Sequence, residues 1–392
     1  MNRDELLHQA QALLPTLTDI RHRLHTIPEG GNREFQTAAL VESVLQEHNI
    51  PTQRLLDTAV VGVLSGTRPG PTAALRADMD ALPLTEQTGV SCASQNPGWM
   101  HACGHDFHMT AALGAALLLA QNRETLSGQV KFFFQPDEEG DGGAQRMIQA
   151  GCMAEPPVEA VFGAHVSPDL PAGTVGVRYG KFYAASNPFS VTFHGQSAHG
   201  AQPEKAVSAL IAAVHAVCAL DLLPERLTRE NGRTILSLGT LHSGTAGNII
   251  PDTATFSGIL RTLGAEARQR AIAALKDTLS YTAEAHHVIA DITVRDSYPG
   301  VVNHDGMTHL VEQAAVSLLG PDKVTVLPEP TMTTEDFGYF LQNTPGCFYH
   351  IGVGGDAPLH NPCFYPADDL LAQAAALHAW VIGAFLERED TV

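Results

Sequence analysis

Apolar and β-branched residues along the chain come in short runs that end on Gly, Pro, Asp or His, and each run gives way to a stretch of helical period. The runs are VVGVLSG (60–66), TAALRADMD (72–80), VKFFFQP (130–136), AVFGAH (160–165) and CFYHIGVG (347–354); helical stretches include 36–48, 106–121 and 142–150. Runs this continuously apolar predict strands buried on both faces, and the alternation predicts the α/β class with a mostly parallel sheet.

The rhythm changes in the middle of the chain. A strand at 187–195 precedes a helix at 203–220 with Pro203 in its first turn. Strands at 233–243 and 251–262, a helix at 265–285 and a strand at 287–295 follow. This βαββαβ order is that of a ferredoxin-like unit. The α/β pattern resumes after it, so it is expected as an insertion: 186–296 as the inserted domain, 1–185 with 297–392 as the larger, discontinuous one.

Composition narrows the function classes. At 392 residues two domains are expected. A net charge of −19, from 42 acidic and 23 basic residues without a basic patch, argues against nucleic acid or an anionic membrane surface as partner. TAALGAALLLA is too short to span a bilayer and reads as a core helix. MNRDELLHQAQALL reads as an amphipathic helix with early acids, not as a secretory leader, so a cytoplasmic location is expected. The six cysteines are widely spaced without CxxC, and most are expected as small buried residues.

The stretch WMHACGHDFHM (99–109) holds the densest chemistry. Cys103 and His105 would diverge on a helix but converge on a loop, and the helical pattern begins near Asp106. Thiolate and imidazole suit zinc; a redox thiol or a buried turn are the alternatives. Other ligand types fall at strand ends, where an α/β sheet carries its functional loops. Asp78 and Asp80 follow one run, Glu138 and Glu139 a second, His165 ends a third, and His360 lies after the last. One carboxylate of an adjacent pair can bind metal while its neighbour serves as general base; a solvated acidic turn is the plainer alternative. In the insert, His199 (SAHGAQP), Asn248 (GNIIPD) and Arg261 (GILRTL) each read as surface residues when taken alone.

MHACGHDFHM, PDEEG, GAHV, SAHGAQP, GNIIPD and LHNP stand in the order found in the M20 metallopeptidases. The chain most resembles their amidohydrolase branch of hippurate hydrolases, N-acyl-amino-acid deacetylases and indoleacetyl-amino-acid hydrolases. RHRLHTIPEGGNREFQTA resembles that branch's opening segment.

The resemblance implies a metal-dependent amidohydrolase of N-acyl amino acids with two divalent ions (zinc, manganese or cobalt). Cys103 would bridge, with His105 and His165 on one ion and Glu139 and His360 on the other. Glu138 would be the general base, and Asp80 would orient a metal ligand. His199 would reach a partner subunit's site to stabilise the oxyanion, which implies a homodimer through the inserted lid domain. Asn248 and Arg261 would bind substrate, the guanidinium suiting a free α-carboxylate.

Asp137 and Asn361 depart from the branch. Asp137 adds a charge expected to bear on Glu138 or the metals, whereas Asn361 is expected to matter little. His25, His101, His108 and His350 are expected in supporting roles. A dipeptidase or aminopeptidase on the same scaffold, a metal- or ligand-binding relative without catalysis, and a thiol redox protein using Cys103 are the rival functions.

Overall fold

The apolar runs become one eight-stranded sheet, ordered Thr52–Leu55, Ala59–Ser65, Ser127–Gln135, Arg68–Asp78, Ala160–Ser167, Gly346–Gly352, Val175–Val177 and Val324–Val326. The computed structural model describes residues 1–388. Contacts divide them into a first unit (1–180, 303–329 and 339–388) and a second (181–302 with 330–338).

Four neighbouring strands at the centre, Ser127–Gln135, Arg68–Asp78, Ala160–Ser167 and Gly346–Gly352, are mutually parallel. Their shared direction brings four C-terminal ends to one edge of the sheet, the position at which such sheets carry ligands. The strands are buried because both faces are covered: Phe132, Phe133 and Phe134 are all fully buried, so successive side chains on opposite faces both meet core. The helix His105–Gln121 is buried along nearly its whole length and packs against Arg3–Thr26 and Leu370–Leu386. An apolar helix without a polar face belongs in such a core. Among the described residues no helix is long and apolar enough to cross a membrane.

In the second unit the strands run antiparallel in the order Thr234–Ser243, Thr253–Thr262, Ala185–His194, Ile289–Val294. Helices Ala209–Asp221 and Ala265–His286 pack on one face, where Phe189, Phe193, Phe256 and Leu275 form the core. This is the ferredoxin-like order of strands.

Two local expectations need correction. The helix expected over 203–220 starts at Ala209, capped by the Ser208 hydroxyl, while Pro203 opens a separate 3-10 turn. A further helix, Leu223–Asn231, follows it. Segment 330–338, expected within the larger domain, clusters with the second unit. Backbone bonds hold it there: Thr331 N–H donates to the Phe182 carbonyl, and Ala184 N–H to the Thr333 carbonyl.

Candidate metal centre

Gly104 decides the geometry of the CxH pair. Its φ is +85°, in the left-handed region, and a Cβ there would lie 2.7 Å from Val166 Cγ2. The chain therefore turns between Cys103 and His105, and the helix begins at His105 itself, one residue earlier than its pattern suggests. Cys103 Sγ and His105 then converge with His165, their ligand atoms all within 4.8 Å of one another.

A second triplet, Cys103, Glu139 and His360, meets the same limit and shares the thiol. Cys103 Sγ lies 3.3 Å from Nε2 of His165 and 3.3 Å from Nε2 of His360. His360 Nε2 is 3.1 Å from Glu139 Oε1. His360 itself sits at φ +62°, unusual for a residue with a Cβ, and its N–H is tied to the Ala102 carbonyl at 2.8 Å. Strain of this kind persists only where surrounding bonds hold it.

The imidazoles are oriented from behind. His165 Nδ1 donates to the Val166 carbonyl at 2.7 Å and His105 Nδ1 to the Asp80 carbonyl at 2.8 Å. A carbonyl only accepts, so each ring carries a hydrogen on Nδ1 and turns Nε2 toward the cluster. Burial, with His108 nearby, holds His165 well below the usual histidine range and hence neutral. At His105, burial opposes charging, but the carboxylates of Asp78, Asp80 and Glu139 raise its pKa to about 10. Burial and the carboxylates of Glu139 and Glu138 push the Cys103 thiol well above its usual range.

These directions test whether a cation fits. Nε2 of His105 is buried without a hydrogen-bond partner. The carboxylates that favour a proton on His105 favour a divalent cation equally, and a cation would offset the cost of the buried thiolate. Two N/S/O triplets sharing one sulfur fit a pair of divalent ions.

Asp80 lies two residues beyond the end of its strand and is buried. Its Oδ1 accepts the N–H of Glu138 and its Oδ2 the N–H of Glu139. Glu138 is buried, with a carboxylate oxygen within 4.8 Å of Glu139 and His105. Asp137, next to Glu138, has φ +60°, and its carboxylate accepts from Asn32 Nδ2 at 2.7 Å and pairs with Arg146 at 3.3 Å. Asn361 caps a local turn, its Oδ1 accepting the Cys363 N–H.

Arg21 and Arg76 lay outside the sequence reading, which had Asp78 as a strand-end carboxylate and His25 and His108 in supporting roles. Asp78 pairs with Arg76 at 2.7 Å and accepts from His108 Nδ1 at 2.7 Å; His108 Nε2 in turn accepts the Val166 N–H at 2.9 Å. That relay anchors the strand end carrying His165. Asp106, beside His105, accepts from Arg21 Nε at 2.9 Å and from His25 Nδ1 at 3.0 Å. Arg21 and His25 share the buried stripe of their helix with Leu17, Ile20 and Leu24. A polar residue on an apolar stripe was the signal available for them.

In the second unit, Ala198–His199 pairs with Ile249–Ile250, His199 opposite Ile249, and Gly200 N–H donates to the Asn248 carbonyl at 2.8 Å. His199 and Asn248 are therefore neighbours on one exposed two-stranded element. Arg261 lies apart from them on the strand Thr253–Thr262, donating to the Met332 carbonyl at 2.7 Å.

Residues 74–382 match the sequence profile of peptidase family M20/M25/M40. The N-acetyl-L-cysteine deacetylase of Bacillus subtilis (strain 168) is 37% identical over 350 residues, covering 89% of this chain and 83% of its own. Thermostable carboxypeptidase 1 of Saccharolobus solfataricus is 34% identical over 386 residues, covering 96% and 97%. Among solved structures, the Bacillus subtilis YXEP protein, described as a dinuclear metal-binding peptidase of the M20 family, superposes with a TM-score of 0.84 at 32% identity, covering 96% of this chain and 99% of its own.

Proposed function

The chain belongs to peptidase family M20/M25/M40 and is a hydrolase of amide bonds, and from that premise we propose that it deacylates N-acyl amino acids, releasing a carboxylate and a free amino acid. The observation that carries the proposal is the meeting of a buried Glu138 with two ligand triplets that share Cys103.

Cys103, His105 and His165 would hold one divalent ion, and Cys103, Glu139 and His360 the other. When bound, such ions acidify water and polarise a carbonyl at neutral pH. Glu138 takes the proton of the attacking water and returns it to the amide nitrogen as the C–N bond breaks. Asp80 keeps Glu138 and Glu139 in place through their backbone. Arg261 receives the α-carboxylate as a paired hydrogen bond, and Asn248 contributes to binding the substrate. His199 donates to the oxyanion of the tetrahedral intermediate, acting from a partner subunit in a homodimer formed by the inserted domain. Zinc, manganese and cobalt all accept this donor set.

A peptidase reading has a specific relative behind it, the carboxypeptidase of 34% identity. Assaying N-acetyl and N-benzoyl amino acids beside dipeptides, with the protein reconstituted with each metal in turn, separates the two. Hydrolysis of dipeptides alone overturns the proposal.

A further inference from the structure

The second unit carries a hollow of about 1140 Å³ on one face of its sheet. Alternation along the strands explains its lining. Phe193, Phe256 and Leu260 point to the helices, so Ser190, Ser257, Ile259 and Arg261 point to the other face. The floor is apolar, made by Pro188, Ile235, Ile259 and Met332.

Three arginines stand around that floor: Arg233, Arg261 and Arg295. Arg261 pairs directly with Ile235, so Arg233, two residues earlier on the same face, is its diagonal neighbour, about 7–8 Å away between backbones. Arg295 follows the opposite edge strand, its N–H bonded to the Pro188 carbonyl. No Asp or Glu lines the hollow. The exposed side chains of Arg233 and Arg295 make no hydrogen bond or ion pair with any described residue. In a chain of net charge −19, three guanidinium groups lining one hollow that holds no carboxylate offer a site to an anion from outside. One carboxylate, on Arg261, does not account for all three.

We propose that this hollow selects N-acyl amino acids bearing a second carboxylate beyond the α-carboxylate, with Arg233 and Arg295 as the groups that receive it. The inference rests on the N-acyl amino acid reading above and on Arg261 as the α-carboxylate site. The second carboxylate can sit on the amino-acid side chain or at the far end of the acyl group; both present the same anion across an apolar spacer. A guanidinium placed to bond an anion penalises the neutral analogue, which leaves it unpaired. A chain so acidic otherwise disfavours a dianion, so a preference for one reports on the arginines.

The test compares kcat/KM within two isosteric pairs: N-acetylglutamate against N-acetylglutamine, and N-succinylalanine against a neutral amide of the same length. The expected result is a margin of at least about tenfold for the dianion in one pair, expressed in KM. Arg233→Gln with Arg295→Gln should bring the favoured dianion down to the level of its neutral partner. The pair that shows the margin identifies the source of the second carboxylate. Equal kcat/KM within both pairs, or a margin that survives both substitutions, overturns the inference and leaves the amidohydrolase reading intact. If no N-acyl amino acid is hydrolysed, the amidohydrolase reading fails instead. Equilibrium binding of the same four compounds to the Glu138→Gln protein then decides the inference by the same margins.

Discussion

Asp80 fixes Glu138 through the main chain: its Oδ1 accepts the Glu138 N–H at 3.0 Å while its Oδ2 accepts the N–H of Glu139 at 2.9 Å. One buried carboxylate thus holds the backbone of both glutamates, whose carboxylate oxygens come within 4.8 Å of each other beside His105. Asp80→Asn leaves one acceptor and turns an amide donor toward an N–H, an unsatisfied clash in a buried place. The expected outcome is a fall of about 100-fold in kcat together with metal affinity about 10–100-fold weaker. Steady-state kinetics and a competitive metal titration check it; kcat within twofold of the parent removes Asp80 from the positioning role.

Glu138→Gln separates binding from chemistry. The amide preserves shape but cannot accept the water proton, so kcat should drop by about 10²–10⁴ while bound metal per subunit stays the same. Elemental analysis beside a turnover assay reads both quantities. Unchanged turnover would strike Glu138 from the mechanism.

Cys103 answers to thiol chemistry. Cys218 and Cys363 are exposed, whereas Cys92, Cys103, Cys152 and Cys347 are buried. A metal-loaded native protein should therefore label at Cys218 and Cys363, and treatment with a chelator should add Cys103. A redox thiol would instead label regardless of chelation. Peptide mapping of the modified cysteines distinguishes the outcomes.

The strand runs and the inserted βαββαβ rhythm were readable because each reflects a strong period: two-sided burial of the phenylalanines at 132–134, and alternation on the half-exposed insert strands. The helix start at 203 was misjudged because Pro203 signals a first turn equally well for the 3-10 turn it actually opens. Convergence of Cys103 with His165 depends on Gly104 in the left-handed region and on a parallel pairing far along the chain, which no local pattern contains. Asp137 was expected to bear on Glu138 or the metals; the partners its carboxylate takes, Asn32 and Arg146, lie far enough along the chain that no local pattern contains them. Arg21 draws no notice in the sequence because its partner, Asp106, is 85 residues away, and His25, expected in a supporting role, finds its partners Asp106 and Glu86 at separations no local pattern contains.

The proposed dimer has a surface to test. Ile211 and Val214 are 48% and 38% exposed on the helix Ala209–Asp221, and Leu222, just past its end, is 70% exposed. Ile211 and Val214 are three residues apart and so share one helix face. Ile211→Lys with Val214→Lys should shift the protein to a monomer in light scattering and, if His199 acts across the interface, abolish activity. A parent protein that is already monomeric at working concentration sinks the proposal.

The pH dependence of stability isolates the network beneath the metal centre. His25 is 1% exposed, its Nδ1 3.0 Å from Asp106 and its Nε2 3.2 Å from Glu86. Burial opposes its charge, yet the Asp106 carboxylate and the hydrogen bonds to Asp106 and Glu86 raise its pKa to about 10. An unfolded histidine titrates near 6.5, so between these values the folded chain keeps a proton that the unfolded chain has lost. Its stabilising contribution is complete below about pH 6.5, declines by about 1.4 kcal/mol per pH unit above that, and is gone beyond about pH 10. Glu86 works in the opposite direction: burial resists its charge, but hydrogen bonds from His25 and the Ser94 N–H lower its pKa to about 2. Its contribution is present above about pH 4.5 and is lost as the pH falls toward 2. His25→Gln cannot carry the proton. Urea midpoints of the parent should therefore fall from pH 7 to pH 10, while those of the variant, lower at pH 6, stay flat over the same interval. Parallel slopes in the two proteins would assign the decline to another group.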